Sequence, residues 1–386
     1  MAGTSLAIVL VHYHTPRLAA AAVAALQRDL LAVPPGGAAA PGRNGLEVEW
    51  LLVDNGSDAA GRELLASLPV RVLEPGRNLG FAGGVNLGVA SSRADLILLM
   101  NPDVMVQPGC VAALMESLQG GAAAAGPRFY WDAGRRLLLP PAEERGRGPE
   151  LLAALAAARG GRWAAAARRR SRLHCRRHWL AAAPVASYAL SGSLLAVTRR
   201  AWKRVGDFDE GFQLYFEETD WLLRLRRAGL PARFVPAAEA IHLYSRSAAA
   251  EPRARQWFEA SARRFRRRHY GAWFAWLLAR LGRVSAPAAR APDEAAAVPA
   301  EGLDLAGFPH PLWVEVTPNA AGFPAAAERV TAGPPAGGAW RLPSEVAQSL
   351  PAGPLWLNLS GEDGRDLAHL QLAAADRAQA PMGQAD

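Results

Sequence analysis

Cysteine is nearly missing. Cys110 and Cys175 are the only two among 386 residues and have no CxxC spacing, which argues against a disulfide framework and a structural zinc site. Lysine is scarcer still, with Lys203 alone, so the formal charge of +8 rests almost wholly on arginine. No stretch approaches the roughly 20 apolar residues that span a bilayer. The opening "MAGTSLAIVLVHYHT" lacks a basic leader, and its short apolar run reads as a strand, not a signal sequence. Together these absences predict a reducing compartment: a cytoplasmic protein, or one peripheral on the inner face of the membrane. The remainder is ordinary for a globular chain, 51% hydrophobic and 20% charged, which suffices for one large domain and something smaller.

Along the first part, apolar strands alternate with helical patterns. "SLAIVLVHY" reads as a strand, Pro16 to Leu31 as a helix, "VEWLLVDN" as a strand and Ala59 to Leu68 as a helix. A short strand "VRVLE", a glycine loop, a helix to about Ser91, a strand "ADLILLMN" and a helix from Pro108 to Leu118 follow. This alternation predicts an α/β fold with a mostly parallel sheet covered by helices on both faces. Ligands of such sheets sit beyond the carboxyl ends of the strands. Accordingly "LLVDNGS" runs into Asp54, Asn55 and Ser57, and "LILLMNPDV" runs into Asn101 and Asp103.

Each of these groups has two readings. Asp54 either caps the next helix or, with Asn55, binds a base or ribose. Asp103 is either a turn residue or a carboxylate held rigidly enough to bind a hard cation on phosphate oxygens. The loop "GRNLGFAGGVNLG" (76–88) matches neither GxGxxG nor a P-loop, and it feeds a helix N-terminus suited to an anionic or polar ligand. "FEETDW" sets Glu217, Glu218 and Asp220 in the first turn of a helix predicted over Glu217 to Ala228. Crowded carboxylates raise at least one pKa, as a general base requires, and Arg224 can pair with Asp220 and leave Glu218 free. His242, after the strand pattern "ARFVP", is either structural or the completion of a cation site begun by Asp103.

From Gly134 to Ala183 an insertion of alanine and arginine carries a basic helix with Trp163, Leu173 and Trp179. A second basic and aromatic helix spans about 259–282. Both are either solvated faces or patches for an anionic membrane surface, the second with Trp273, Phe274 and Trp276 at the interface. Residues 285–302 read as a linker and 303–374 as a small β module, whose Trp313, Trp340 and Trp356 suit a core better than a glycan site. A flexible tail over 375–386 completes the chain, which makes 1–284 the main domain. Nucleic acid is not expected as a partner, because it leaves the acidic groups at the strand ends unexplained.

In this order "LLVDNGS", "RNLGFAGGVNLG", "LLMNPDV", "SGSLLAV", "VGDFDEGFQLYFEETDWLLRLRRAG" and "HLYSRS" resemble family 2 glycosyltransferases, in particular the rhamnosyltransferase-like members. The resemblance spans about residues 5–275 outside the insertion. It implies a GT-A type sheet, a nucleotide-sugar donor, a saccharide or lipid-linked saccharide acceptor, Mg²⁺ or Mn²⁺, and inverting transfer in cell-surface polysaccharide synthesis. L-Rhamnose from dTDP-rhamnose is the implied donor. Asp103 stands where the family's DXD motif ends, with Asn101 in place of its first aspartate, and His242 stands at the second metal ligand. Glu218 stands at the catalytic base, where the family usually has aspartate, with Asp220 as its companion. Asp54, Asn55, Asn78, Gly80, Phe81, Gly83, Gly84, Asn86, Asn101, Ser191, Gly192 and Arg224 are the implied substrate-side residues. A non-catalytic carbohydrate-binding descendant is the alternative that the glutamate allows.

Overall fold

The computed structural model describes residues 4–31, 46–243, 253–283, 296–297, 302–319, 321–332, 339–349 and 355–372. The expected tail lies outside the described residues, as does nearly all of the expected linker. The chain forms two compact units: residues 1–129, 141–145 and 178–275, and residues 130–140, 146–177 and 276–386.

In chain order the elements begin with β1 (Ser5–His12), α1 (Pro16–Leu31), β2 (Glu47–Asp54), α2 (Ala59–Ala66), β3 (Arg71–Leu73), α3 (Gly80–Ala90), β4 (Leu96–Met100), β5 (Val104–Val106) and α4 (Cys110–Gln119). Next are β6 (Ala124–Tyr130), α5 (Arg147–Arg159), α6 (Gly161–Trp179), β7 (Val185–Ala186), β8 (Leu194–Thr198), α7 (Arg199–Val205), α8 (Glu217–Arg227), β9 (Ala232–His242), α9 (Ala254–Tyr270) and α10 (Ala272–Arg283). The C-terminal part holds β10 (Ala296–Ala297), β11 (Leu312–Thr317), β12 (Ala326–Val330), α11 (Ser344–Ser349), β13 (Leu355–Gly361) and β14 (Asp366–Leu372).

The large sheet of the first unit runs β3-β2-β1-β4-β8-β6-β9-β5, with β7 on β9. Strands β3, β2, β1 and β4 pair in parallel, and β8, β9 and their neighbours extend the sheet with antiparallel pairs. The period of two along a strand divides the core between two faces. Leu6, Ile8 and Leu10 of β1 pack with α1 and α4 on one face; Val9 and Val11 pack with α3, α7 and α8 on the other. Trp221 is fully buried in the second cluster and donates its indole N–H to Gly206 O at 2.8 Å, so its large apolar area is buried with no orphaned donor. Strand β9 is longer than "ARFVP" suggests: it runs 11 residues through Pro236 to His242.

In the second unit β14, β13, β11 and β12 form an antiparallel sheet with β10 added parallel to β14. Trp313, Trp340 and Trp356 are buried, as the core reading expected. The arginines of α6 depart from a purely solvated or membrane-facing helix. Arg172 is buried and sets its Nε 2.8 Å from both Glu315 oxygens, and Arg176 donates to Ser360 Oγ at 2.8 Å and Gly361 O at 2.6 Å. A buried carboxylate accepts such company because bare burial of either charge costs several kcal/mol, roughly. Among the described residues no helix is long and apolar enough to cross a membrane.

Candidate active site

Parallel strands bring the first group to one edge. His12 and Asp54 are register partners at the ends of β1 and β2, and His12 Nε2 lies 3.2 Å from Asp54 Oδ1. Asp54 also accepts from Gly56 N at 2.9 Å. The helix-cap alternative for Asp54 falls to Asp58, whose carboxylate accepts from Gly61 N at 2.7 Å. Burial holds the His12 imidazole below its usual pKa against the pull of Asp54, so it stays neutral. His12 Nδ1, Thr15 Oγ1 and Ser57 Oγ are buried without a hydrogen-bond partner among the described residues. Tyr13, partly exposed, lies against His14 with the rings tilted and their centres 4.1 Å apart. Unsatisfied buried groups beside an exposed ring suit a polar, planar ligand. The sequence reading passed over His12 to Thr15; a polar run directly after an apolar strand was the available signal.

The glycine loop has a different physical basis from the one its composition suggests. A Cβ on Gly84 would sit 2.7 Å from Val11 Cγ1, and one on Gly88 would sit 2.3 Å from Val9 Cγ1. These glycines let α3 lie directly on β1. Asn55 donates to Gly80 O at 3.0 Å and accepts from Leu79 N at 3.2 Å, tying β2 to the loop, while Asn78 accepts from Gly80 N at 2.8 Å. Asn86 exchanges hydrogen bonds with the Phe208 backbone and donates to Glu210. Phe81 faces Phe208, their ring centres 6.4 Å apart. Asn55 and Asn86 thus hold protein to protein on this side of the loop. Gly80 has φ +69°, a left-handed conformation that a side chain would strain, and a Cβ on Gly83 would meet Leu79 Cβ at 2.9 Å.

The second group is assembled by antiparallel pairing. Val104 and His242 are partners in β5 and β9, and Leu243 N donates to Asp103 O at 2.9 Å. His242 Nε2 therefore comes 3.4 Å from Asp103 Oδ1. Nearby in sequence, Asn101 N donates to Ser193 O at 2.8 Å, and Asn101 Oδ1 is buried without a hydrogen-bond partner among the described residues. A buried carboxylate, an imidazole and an amide oxygen are the donor types a hard or borderline divalent cation accepts. Among the described residues no group of three or more His, Cys, Asp or Glu is placed to hold a metal ion by itself. A cation here would therefore take its remaining ligands from substrate oxygens or water.

The turn Ser191–Ser193 links this edge to the acidic helix. Ser191 Oγ donates to Ser193 Oγ at 3.1 Å, and a Cβ on Gly192 would sit 3.1 Å from both Cβ and Cγ of Glu218. Glycine at 192 gives Glu218 its space. Burial raises the pKa of Glu218 from the ordinary value, and its backbone hydrogen bonds and Arg145 pull it back. Glu217 is pushed well up by burial and by Glu218, and its Oε2 has no hydrogen-bond partner among the described residues. Tyr215 and Phe216, just before them, carry φ +66° and +73°.

Asp220 is enclosed by cationic partners. It is wholly buried, bound to Arg224 Nε at 2.8 Å and His269 Nε2 at 2.7 Å, with Arg268 Nε at 3.3 Å. Burial would raise its pKa, but these partners outweigh it and hold the carboxyl below the usual range. Arg224 also donates to Val205 O at 2.7 Å and Asp207 O at 2.8 Å. Both residues are held by protein partners around α8.

The chain is similar to known glycosyltransferases. The pattern of "Glycosyl transferase family 2" matches residues 23–171. The N-acetylglucosaminyl-diphospho-decaprenol L-rhamnosyltransferase of Mycobacterium tuberculosis, in strains CDC 1551 / Oshkosh and ATCC 25618 / H37Rv, is 32% identical over 235 residues, covering 53% of this chain and 69% of the relative. Two solved structures show weak likeness. One is the mannosyltransferase PcManGT from Pyrobaculum calidifontis with GDP-Man and Mn²⁺ (TM-score 0.42, 13% identity, 72% of this chain and 69% of that one). The other is GalNAc-T7 with UDP, GalNAc and Mn²⁺ (TM-score 0.40, 15% identity, 62% and 44%). With that relative at 32% identity across more than two thirds of its length, the chain belongs to glycosyl transferase family 2.

Proposed function

We propose that this protein is an inverting, metal-dependent glycosyltransferase of the GT-A type, which moves a sugar from a nucleotide-sugar to a lipid-linked saccharide during cell-surface polysaccharide synthesis. L-Rhamnose from dTDP-rhamnose is the preferred donor, and the name of the mycobacterial relative, with its N-acetylglucosaminyl-diphospho-lipid acceptor, supports both choices. The observation that carries the reading is the Ser191–Ser193 turn, which touches Asn101 on one side and Glu218 on the other. It ties a phosphate-side edge to a base.

Asp54, with the unsatisfied His12, Thr15 and Ser57, would receive the nucleoside. Asp103 and His242 would hold Mg²⁺ or Mn²⁺, which supplies charge to the departing diphosphate. Glu218 would take the proton of the acceptor hydroxyl as its oxygen attacks the anomeric carbon. The bond from that carbon to the diphosphate oxygen breaks on the opposite face, so configuration inverts. Asp220 and Arg224 keep the helix start in place. Glu218→Gln is expected to lower transfer by roughly 10²-fold or more while donor binding changes little; turnover at the wild-type rate would refute the base. Donor binding without any transfer by the unaltered protein would favour the carbohydrate-binding alternative.

An anionic membrane surface is the further partner of this reading. In α10, Trp273 is 70% and Trp276 58% exposed, and the Arg280 guanidinium lies 5.7 Å from the Trp276 ring centre. Phe274, expected beside them, is instead buried against Tyr270. Indole next to guanidinium suits the headgroup region.

A further inference from the structure

The insertion between β6 and β7 belongs mostly to the second unit, but residues 141–145 belong to the first. That return ends in Arg145. Its guanidinium lies 4.8 Å from the centre of the Phe216 ring, and its Nη1 lies 3.1 Å from Glu143 Oε2. Phe216 and Tyr215 are consecutive left-handed residues without being glycine, a strained conformation that persists only when neighbours enforce it. Phe258 and Phe265 pack on Phe216 from α9, each with a ring centre 5.4 Å away. Arg145 closes over it with the cation-on-ring contact that guanidinium favours.

The next two residues are Glu217 and Glu218, so whatever fixes Phe216 fixes where α8 starts. Glu218 opposes the ionisation of its neighbour Glu217, and Arg145 favours that of Glu218. The 191–193 turn contributes a glycine and serines, with no charge. We propose that Arg145 is a positioning residue for Glu218: it clamps Phe216 against its strained backbone, fixes where α8 begins and sets a positive charge on the side of Glu218. The inference rests on Glu218 being the base.

The test is the pH dependence of kcat/KM for transfer, measured on full-length Arg145→Lys, Arg145→Gln and Arg145→Ala, with thermal melting as a folding control. Loss of the charge is expected to move the acid limb up by about one pH unit, the small end of the effect of an adjacent ion, so that acid-side kcat/KM falls roughly tenfold and the alkaline plateau much less. Arg145→Lys should keep the limb near its original place. A limb unmoved in folded Arg145→Gln, or Arg145→Lys falling with it, would overturn the assignment. Should Arg145→Ala fail to fold, the Lys and Gln pair decides alone. An inactive Glu218→Gln with an unmoved limb removes Arg145 only, whereas an active Glu218→Gln removes the base reading itself.

Discussion

Asp103 and His242 lie 3.4 Å apart, carboxylate to imidazole, because β5 and β9 pair antiparallel with Val104 opposite His242. Neither residue reaches the other without that register. Asp103→Asn and His242→Ala should each weaken Mn²⁺-dependent donor binding by at least about tenfold, a loss that even outer partners of a metal produce. Calorimetry with and without Mn²⁺ reads this directly, and a metal-dependent affinity unchanged in both variants would end the assignment.

Gly88→Ala sets two effects against each other. Alanine gains about 1 kcal/mol of helix propensity, yet its Cβ would arrive 2.3 Å from Val9 Cγ1. Overpacking of this kind costs about 1–3 kcal/mol, so the variant should be destabilised on balance. Denaturant unfolding of Gly88→Ala, Val9→Ala and the double variant decides the matter. The double variant should be more stable than the two single losses summed; strict additivity would show that α3 and β1 do not limit one another there.

Glu217 gives a stability prediction with a definite sign. Its folded pKa is raised above the unfolded value, so the folded state holds the proton more tightly, and ionising the group costs stability as pH rises past about 4.3, the unfolded value. Glu217→Gln removes that cost. Its melting temperature should exceed that of the unaltered protein by a few degrees, roughly, at pH 8 and should match it near pH 4. A gain of equal size at both pH values would assign the effect to packing.

The exposed indoles of α10 predict binding to vesicles that contain anionic lipid, with weaker binding to neutral ones. Trp273→Ser with Trp276→Ser should reduce co-sedimentation and leave transfer to a water-soluble acceptor analogue unchanged. Equal binding to neutral and anionic vesicles would discard the electrostatic part.

Much of the sheet was legible because its signals are local. The apolar run of β1, the alternation of strand and helix patterns and the polar residues after β2 and β4 are each read within a few positions, and the elements expected up to α4 agree to within a few residues. What the sequence hides is pairing at long range. β5 is three residues long and gives no periodicity, so neither the strand nor its pairing with β9 was legible in the sequence. The glycines of α3 read as room for a ligand, since nothing in their own stretch reveals Val9 and Val11 of β1 as the atoms that need the space. Arg172 reads as one of many surface arginines; its carboxylate partner lies 143 positions away. Arg145 carries no local mark at all.

The route of the chain between its two units has an engineering consequence. It passes from one to the other after residues 129, 140, 145, 177 and 275, so no single cut separates them. Ending the chain at the start of the C-terminal sheet would delete Glu315 and Ser360 but leave α6 in place, with the guanidinium groups of Arg172 and Arg176 stripped of those acceptors. A fragment of the first unit must lose α5 and α6 together with the sheet while it keeps residues 141–145, and a fusion partner is better attached at a terminus than between the two units.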